Sequence, residues 1–241
     1  MVDRAVVSRA VVAVCTLNEA ANIESLVTSL RESMPEVDVL VVDDNSSDGT
    51  AALVEKMADS DSRVHLFVRT EERGLGSAIR YGMTHAIDAG YDFFLNLDGD
   101  FSHDPKQMPL LLERAQSEPP VDVVVGSRYA DGGKIVGWPF HRKVMSRMLN
   151  GFATLCLRLP VSDCSGSMRC YRVSALESVG MANLRVNGYA VLEEVLVQLK
   201  RKGSKMAEVP ITFTERQRGQ SKLTMKEAVR SMLQILSMAF K

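Results

Sequence analysis

No stretch of this 241-residue chain approaches the ~20 consecutive apolar residues that a bilayer-crossing helix needs, so the sequence predicts no membrane span. The early apolar run Ala10 to Cys15 is too short for a signal-peptide core, and no small-residue cleavage site follows it. Charge of one sign is missing too: a formal net charge of −1 gives no overall electrostatic reason to expect nucleic-acid binding. The four cysteines, Cys15, Cys156, Cys164 and Cys170, lack metal-type spacing and are expected to stay reduced in a cytosolic setting. Gly74-x-Gly76 lacks the third glycine of a dinucleotide fingerprint and does not follow the first strand. There is no internal repeat and no low-complexity segment. What is present is a 46% hydrophobic content, enough for a substantial core, on a length that fits one large α/β domain.

Apolar runs at residues 10–15, 37–42, 64–68, 93–97 and 121–125 read as buried strands, each followed by a polar cluster. Helical spacing follows most of them, as in Ile23, Leu26, Val27 and Leu30, which Pro35 brings to an end. Strands alternating with helices predict a doubly wound, mostly parallel sheet. After Gly132-Gly133 the pattern changes. A helix from about Arg142 to Leu159 carries Val144, Met145, Met148, Leu149, Phe152 and Leu155 beside Arg142, Lys143 and Arg147. A polar loop from Asp163 feeds a strand near Arg172, a helix runs from about Tyr189 to Lys202, a strand spans Met206 to Phe213, and a basic amphipathic helix closes the chain from Lys222 to Phe240.

The run Leu97-Asp98-Gly99-Asp100-Phe101-Ser102-His103 ends a buried strand in two carboxylates separated by one glycine. Alternation would point Asp98 and Asp100 the same way if the strand continued. Asp104-Pro105 then offers an N-cap and a proline at the first helical position. Hard oxygen ligands at the carboxyl end of such a strand suit Mg²⁺ or Mn²⁺ bridging to a diphosphate. An exposed acidic turn is the plain alternative. Glu19 and the Asp43/Asp44 pair end other strands on the same rim, which therefore needs counter-charge. A divalent cation supplies it, with Arg128 and Arg216 as candidate clamps on the phosphates. Asp48 is expected only to cap the helix after Gly49-Thr50, and His103, with no His or Cys at ligand spacing, to cap or to lie outside the ligand shell. Asp43-Asp44 also fits the acidic pocket of a phosphate-accepting receiver domain, but such a domain runs about 120 residues and this chain continues in ordered pattern far beyond that. Glu193 and Glu194 read as surface acids, unless Glu194 serves as a general base.

The succession Thr16-Leu17-Asn18-Glu19, Val42-Asp43-Asp44-Asn45-Ser46-Ser47-Asp48-Gly49-Thr50, Gly74-Leu75-Gly76, Asp98-Gly99-Asp100 and Gly126-Ser127-Arg128-Tyr129 resembles the GT-A-fold family 2 glycosyltransferases. Arg142-Lys143-x-x-Ser146-Arg147, Asp163-x-x-Gly166-Ser167-x-Arg169-x-Tyr171-Arg172 and Val209-Pro210-Ile211-x-Phe213-x-x-Arg216-x-x-Gly219-x-Ser221-Lys222 narrow it to the dolichyl-phosphate mannose synthases and related polyprenyl-phosphate glycosyltransferases. The resemblance covers nearly the whole chain. It implies one GT-A catalytic domain over 1–241: a nucleotide-sugar half (10–132), an acceptor half (133–222) and a C-terminal amphipathic helix (223–241). It places Thr16, Asn18, Glu19, Asp43, Asp44 and Gly74 around the nucleotide sugar, with Glu19 near the nucleoside and Asp44 near the base. Asp98 and Asp100, with Ser102 at a third position, are implied for metal and diphosphate; Arg128, Arg142 and Ser146 for the acceptor phosphate; Arg216 and Lys222 for the donor phosphates. Asp98, Asp100, Arg128 and Arg142 would carry the catalysis. Cys15-Thr16-Leu17-Asn18-Glu19 departs from the family's Pro-Thr-Tyr-Asn-Glu, so guanine and uracil both stay open as the base.

The implied activity is inverting transfer of a hexose, mannose from GDP-mannose first, to a polyprenyl phosphate, by a peripheral protein on the cytosolic face of a membrane. An integral-membrane partner subunit or self-association stays open. The alternatives are a family 2 enzyme using UDP-glucose or another donor, with a polyprenyl phosphate or polysaccharide acceptor, and a non-catalytic sugar-nucleotide-binding module. A soluble or polysaccharide acceptor would need Glu194 as its general base.

Overall fold

Strands buried on both faces set the architecture. In β1 (Ala10–Thr16), Val11 and Ala13 point into one apolar layer while Val12 and Val14 point into the other. A strand apolar on both faces must be covered on both, which is the condition for an interior parallel strand. The computed structural model describes residues 8–186, 188, 190–216 and 225–239. The other strands are β2 (Asp38–Asp43), β3 (Val64–Val68), β4 (Phe93–Asp98), β5 (Val123–Ser127), β6 (Lys134–Val136), β7 (Arg169–Arg172), β8 (Met206–Pro210) and β9 (Thr212–Thr214). The helices are α1 (Ile23–Ser33), α2 (Thr50–Ser60), α3 (Leu75–Asp88), α4 (Met108–Gln116), α5 (Phe140–Leu157), α6 (Val173–Val179), α7 (Val191–Arg201) and α8 (Met225–Ala239).

The main sheet has the order β3-β2-β1-β4-β7-β5-β8, parallel throughout except at β7, which runs antiparallel to both neighbours. Helices α1, α2 and α4 contribute to the apolar layer on one face; α3, α6 and α7, with parts of α5 and α8, contribute to the other. β1 lies between β2 and β4, so the connections leave it in opposite directions and open a crevice at the carboxyl ends of these strands. The register sets Thr16 beside Asp43 and Cys15 beside Asp98 at that crevice.

The expected doubly wound, mostly parallel sheet is present, and its central strands fall within two residues of their predicted limits. Four elements differ, one of them α6, which no sequence pattern announced. The strand expected from Met206 to Phe213 is two strands, because Pro210 has no N–H to continue a ladder, and Ile211, fully buried, turns inward. Its second piece, β9, leaves the main sheet and pairs with β6, a three-residue strand that no hydrophobic pattern announced. Helix α4 begins later than Asp104-Pro105 implied: Asp104 caps a 3₁₀ turn over Pro105–Gln107 first, accepting from the Lys106 N–H at 3.0 Å.

Candidate active site

β4 stops at Asp98. The chain then turns through Gly99 and Asp100 to Phe101, whose φ of 58° is left-handed, so a turn rather than continued strand alternation brings the two carboxylates together. Gly99 is needed for closeness: a Cβ there would lie 3.2 Å from Thr16 Cγ2. Burial first, and then the neighbouring Asp100 charge, push Asp98 up to about 6. Asp100 Oδ1 accepts from the Ser102 N–H at 2.9 Å, and its Oδ2 lies 2.8 Å from Arg216 Nη2. Ser102 is buried, and its carbonyl accepts from the Thr214 N–H at 2.9 Å. Two adjacent carboxylates whose charges raise one another's cost, already drawing a guanidinium, are a donor set that fits a divalent cation shared with phosphate oxygens. Among the described residues no cluster of three or more His, Cys, Asp or Glu side chains could hold a metal by protein ligands alone.

The β1–α1 and β2–α2 turns are fastened to each other. Asp43 accepts from Thr16 Oγ1 (2.8 Å), Ser46 N–H (2.8 Å) and Ser46 Oγ (2.6 Å). Asn18 donates its N–H to Ser46 Oγ at 2.8 Å and accepts from the Ser47 N–H at 3.0 Å. The Glu19 N–H donates to Thr50 Oγ1 at 2.9 Å, and Glu19 Oε2 accepts from Asn22 at 2.9 Å. Asp48 caps α2 as expected, accepting from the Thr50 N–H at 3.0 Å, and also takes the Ala20 N–H at 2.9 Å. Asp44 is held by a residue that the sequence reading overlooked: Arg69, buried just past β3, sits 2.7 Å from Asp44 Oδ1 and reaches Ser77 Oγ. Gly74, heading α3 with φ 118°, donates its N–H to Asp44 Oδ2 at 2.6 Å. A basic residue directly after a strand end was the available signal for Arg69.

On the other side of the rim, Arg128 pairs bidentately with Asp163, Nε to Oδ2 at 2.7 Å and Nη2 to Oδ1 at 2.8 Å. Burial alone would raise the Asp163 carboxyl; the hydrogen bonds and charge of Arg128 reverse that and hold it below the usual range. Arg128, expected on the acceptor phosphate, is thus largely committed to the loop before β7. That loop is fastened from beneath by Arg169, fully buried, which donates to the carbonyls of Gly166 and Leu192 at 2.8 and 2.6 Å and to that of Cys164. Arg142, by contrast, is half-exposed at the first turn of α5, bonded to Glu215 Oε1 at 2.6 Å and lying 4.1 Å over the Trp138 ring. Ser146 Oγ and Tyr129 Oη share a hydrogen bond of 2.7 Å. Lys222 lies outside the described residues.

Two further expectations are refined. Of the two roles expected of His103, a cap or a place outside the ligand shell, the cap falls to Asp104; the side chain is buried edge-on against Phe213, 5.2 Å between centroids, and burial pushes its imidazole down to about 4, so it is neutral. Glu193 and Glu194 are not surface acids, for both are buried. Glu194 is occupied as a clamp on the N–H groups of Arg185 and Val186 at 2.9–3.1 Å. Burial pushes Glu193 up to about 7.

The description "Glycosyl transferase family 2" matches residues 11–180. An undecaprenyl-phosphate mannosyltransferase of Micrococcus luteus is 37% identical over 209 residues, covering 87% of this chain and 85% of its own. A polyprenol monophosphomannose synthase of Mycolicibacterium smegmatis is 35% identical over 217 residues, covering 90% and 81%. Among solved structures, a glucosyl-3-phosphoglycerate synthase of Mycobacterium tuberculosis in complex with Mn²⁺, UDP and glucosyl-3-phosphoglycerate aligns with a TM-score of 0.67 at 18% identity, over 96% of this chain and 78% of that one. A mannosyltransferase of Pyrobaculum calidifontis in complex with GDP-Man and Mn²⁺ aligns with a TM-score of 0.58 at 17% identity, over 96% and 73%. The fold is the GT-A arrangement that the motifs implied. The matched region runs from β1 through α6 and carries the acidic rim with it, and on that ground the chain belongs to glycosyl transferase family 2.

Proposed function

We propose that the protein moves a mannosyl group from a nucleotide diphosphate sugar, GDP-mannose first, to a polyprenyl phosphate, with inversion at the anomeric carbon. The observation that carries this reading is the 35–37% identity, over most of both chains, to two mannosyl-transferring relatives whose names give polyprenyl acceptors. The geometry supports it. Asp98 and Asp100 would hold Mg²⁺ or Mn²⁺, which supplies Lewis-acid stabilisation of charge on the departing diphosphate. Asp44, Arg69 and Gly74 form the nucleoside side together with Thr16, Asn18, Glu19 and Asp43, and Arg216 with Lys222 serves the donor phosphates. Arg142 and Ser146 receive the acceptor phosphate. Arg128 is a positioning residue, acting through Asp163 on the loop that borders the acceptor.

No carboxylate base is needed. A phosphate monoester has its second pKa near ~6, so at neutral pH it is already an anionic nucleophile and needs orientation more than deprotonation. The commitment of Glu194 to two backbone N–H groups argues against the rival route, in which that residue deprotonates a sugar hydroxyl.

A lipid acceptor has to reach this rim, yet among the described residues no helix is long and apolar enough to cross a membrane. Helix α5 offers the contact. Phe140 is 82% exposed, Met148 70% and Leu155 77%, on a helix that begins with Arg142 and Lys143. Apolar side chains beside basic ones are the make-up of helices that lie at an anionic lipid surface. The protein then works peripherally at the cytosolic face, with residues 10–132 serving the donor and 133–222 the acceptor. The experiment is to incubate it with polyprenyl phosphate and either GDP-mannose or UDP-glucose, with Mg²⁺ or Mn²⁺, and to identify the nucleotide released. GDP release that depends on the lipid phosphate supports the reading; UDP release, or lipid-independent turnover, rejects it.

A further inference from the structure

Two adjacent residues each hold a charged group that the proposed reaction needs for a ligand. Arg216 places a cation 2.8 Å from Asp100 Oδ2, and Glu215 places an anion 2.6 Å from Arg142 Nη1. The backbone fixes both. The Thr214 N–H donates to Ser102 O, inside the acidic turn after β4, at 2.9 Å, and the Glu215 N–H donates to Val136 O, at the end of β6, at 2.9 Å. Glycine is required opposite this strap: Gly137 has φ +89°, and a Cβ there would lie 2.9 Å from Glu215 Cβ. His103 and Trp138 both meet the Phe213 ring edge-on at 5.2 Å, so the side chains as well as the backbone join the acidic turn to the start of α5.

We propose that Glu215 and Arg216 are internal surrogates for the two charged ligands, Arg216 for the divalent cation on Asp100 and Glu215 for the acceptor phosphate on Arg142. This deepens the function proposed above and rests on it. Before substrates arrive, neither Asp100 nor Arg142 faces the rim uncompensated. When Asp98 and Asp100 hold the metal that accompanies the donor, Arg216 would leave Asp100 and its guanidinium would serve the diphosphate. Acceptor phosphate displaces Glu215 from Arg142. The displaced side chains sit on consecutive residues of one strap, so release at one end loosens the hold at the other, and each ligand favours the binding of its partner by the same factor.

The test is titration of Mn²⁺ into the protein, read by the electron paramagnetic resonance signal of the free ion. Without nucleotide, Arg216→Gln should bind Mn²⁺ about three- to tenfold tighter than the wild type, the range expected for removing one partly exposed competing ion pair. With GDP present, the same substitution should weaken Mn²⁺ binding, because the guanidinium now belongs to the diphosphate. A bystander cation would repel the metal under both conditions; tightening in both, or in neither, overturns the proposal. If Arg216→Gln does not fold, Arg216→Lys carries the same test with a smaller change. Asp100→Asn separates this from the function itself: wild-type Mn²⁺ affinity in that variant removes the metal assignment whatever Arg216 does. For the other end, Glu215→Gln should bind a short, water-soluble prenyl phosphate more tightly by calorimetry. Unchanged affinity in that variant, with binding abolished in Arg142→Ala, overturns the acceptor half.

Discussion

The fastened turns after β1 and β2 and the helix α5 flank the same rim and are built on opposite terms. In the turns nearly every polar group has an intramolecular partner: Asp43 takes three donors, Asp44 takes Arg69 and the Gly74 N–H, and Asp48 ties two loops together. On α5 only Asn150, Ala153 and Leu157 are buried, while Phe140, Met145, Met148, Leu149, Phe152 and Leu155 are exposed. The difference teaches where each half obtains its order. The turns are prearranged by their own hydrogen bonds, at the cost of burying charge. Helix α5 leaves apolar surface unmet, which under the proposed function a lipid surface would cover.

The comparison is broken most severely at the acid pair. Asp100→Asn keeps the shape of the turn and removes a charge from the site proposed to hold a divalent ion. Turnover should fall about 10³-fold, with the melting temperature within a few degrees of the wild type. Excess chelator should do the same to the wild type. Full activity in either experiment would sink the metal assignment.

The two arginines on the acceptor side should separate stability from function. Arg128→Ala takes from the buried Asp163 carboxylate its bidentate counter-charge and leaves it only backbone N–H donors and the more distant Arg169, so unfolding free energy should drop by about 3 kcal/mol, read from the denaturant midpoint. Arg142→Ala removes a pair in which both side chains are 42% exposed. Its stability should change by no more than about 1 kcal/mol, while use of polyprenyl phosphate collapses and donor binding survives. Equal stability losses would erase the distinction between a positioning arginine and a ligand-facing one.

Glu193 sharpens the cost of burial. Its folded pKa is pushed up to about 7 from the ordinary 4.5 by burial, so between those values the folded state holds a proton that the unfolded chain has released. Stability therefore falls as pH rises through that window. Glu193→Gln should match the wild type at pH 4 and exceed it by about 1–3 kcal/mol above pH 7. A stability difference that does not change with pH would show that burial leaves the Glu193 carboxyl unshifted from its unfolded value.

Much of this was legible in the sequence because continuous apolar runs and strand-end polar clusters are local signals. The β1, β2 and β4 strands, the acid pair and the Asp48 cap needed only neighbouring residues to be read. What escaped was long-range pairing between charges far apart in the chain. Arg128 looks like a ligand-binding cation until Asp163, thirty-five positions on, is seen to occupy two of its nitrogens. Glu194 looks like a base until Arg185 and Val186 are found donating to it. The β6–β9 pair escaped for a different reason: at three residues each, these strands are too short to show a period, and tertiary pairing alone creates them.

The smallest expected effect tests the α5 side of the comparison. Met148 and Leu155 are 70% and 77% exposed, so folding gains little from them, and Met148→Glu with Leu155→Glu should change stability by no more than about 0.5 kcal/mol per site. At a lipid surface the same side chains would each contribute up to about 1.5–3 kcal/mol of burial. The double variant should therefore sediment far less with vesicles containing anionic lipid, yet retain turnover on a short, water-soluble prenyl phosphate, because Arg142 and the acid pair are untouched. A control substitution in the fastened region, Thr16→Val, should do the reverse: it removes a donor to the buried Asp43 and should reduce stability without touching vesicle binding. If the α5 variant still sediments as the wild type does, the lipid contact lies on another face. If it unfolds, α5 is held by packing that its exposure does not reveal, and the contrast between the two sides of the rim fails.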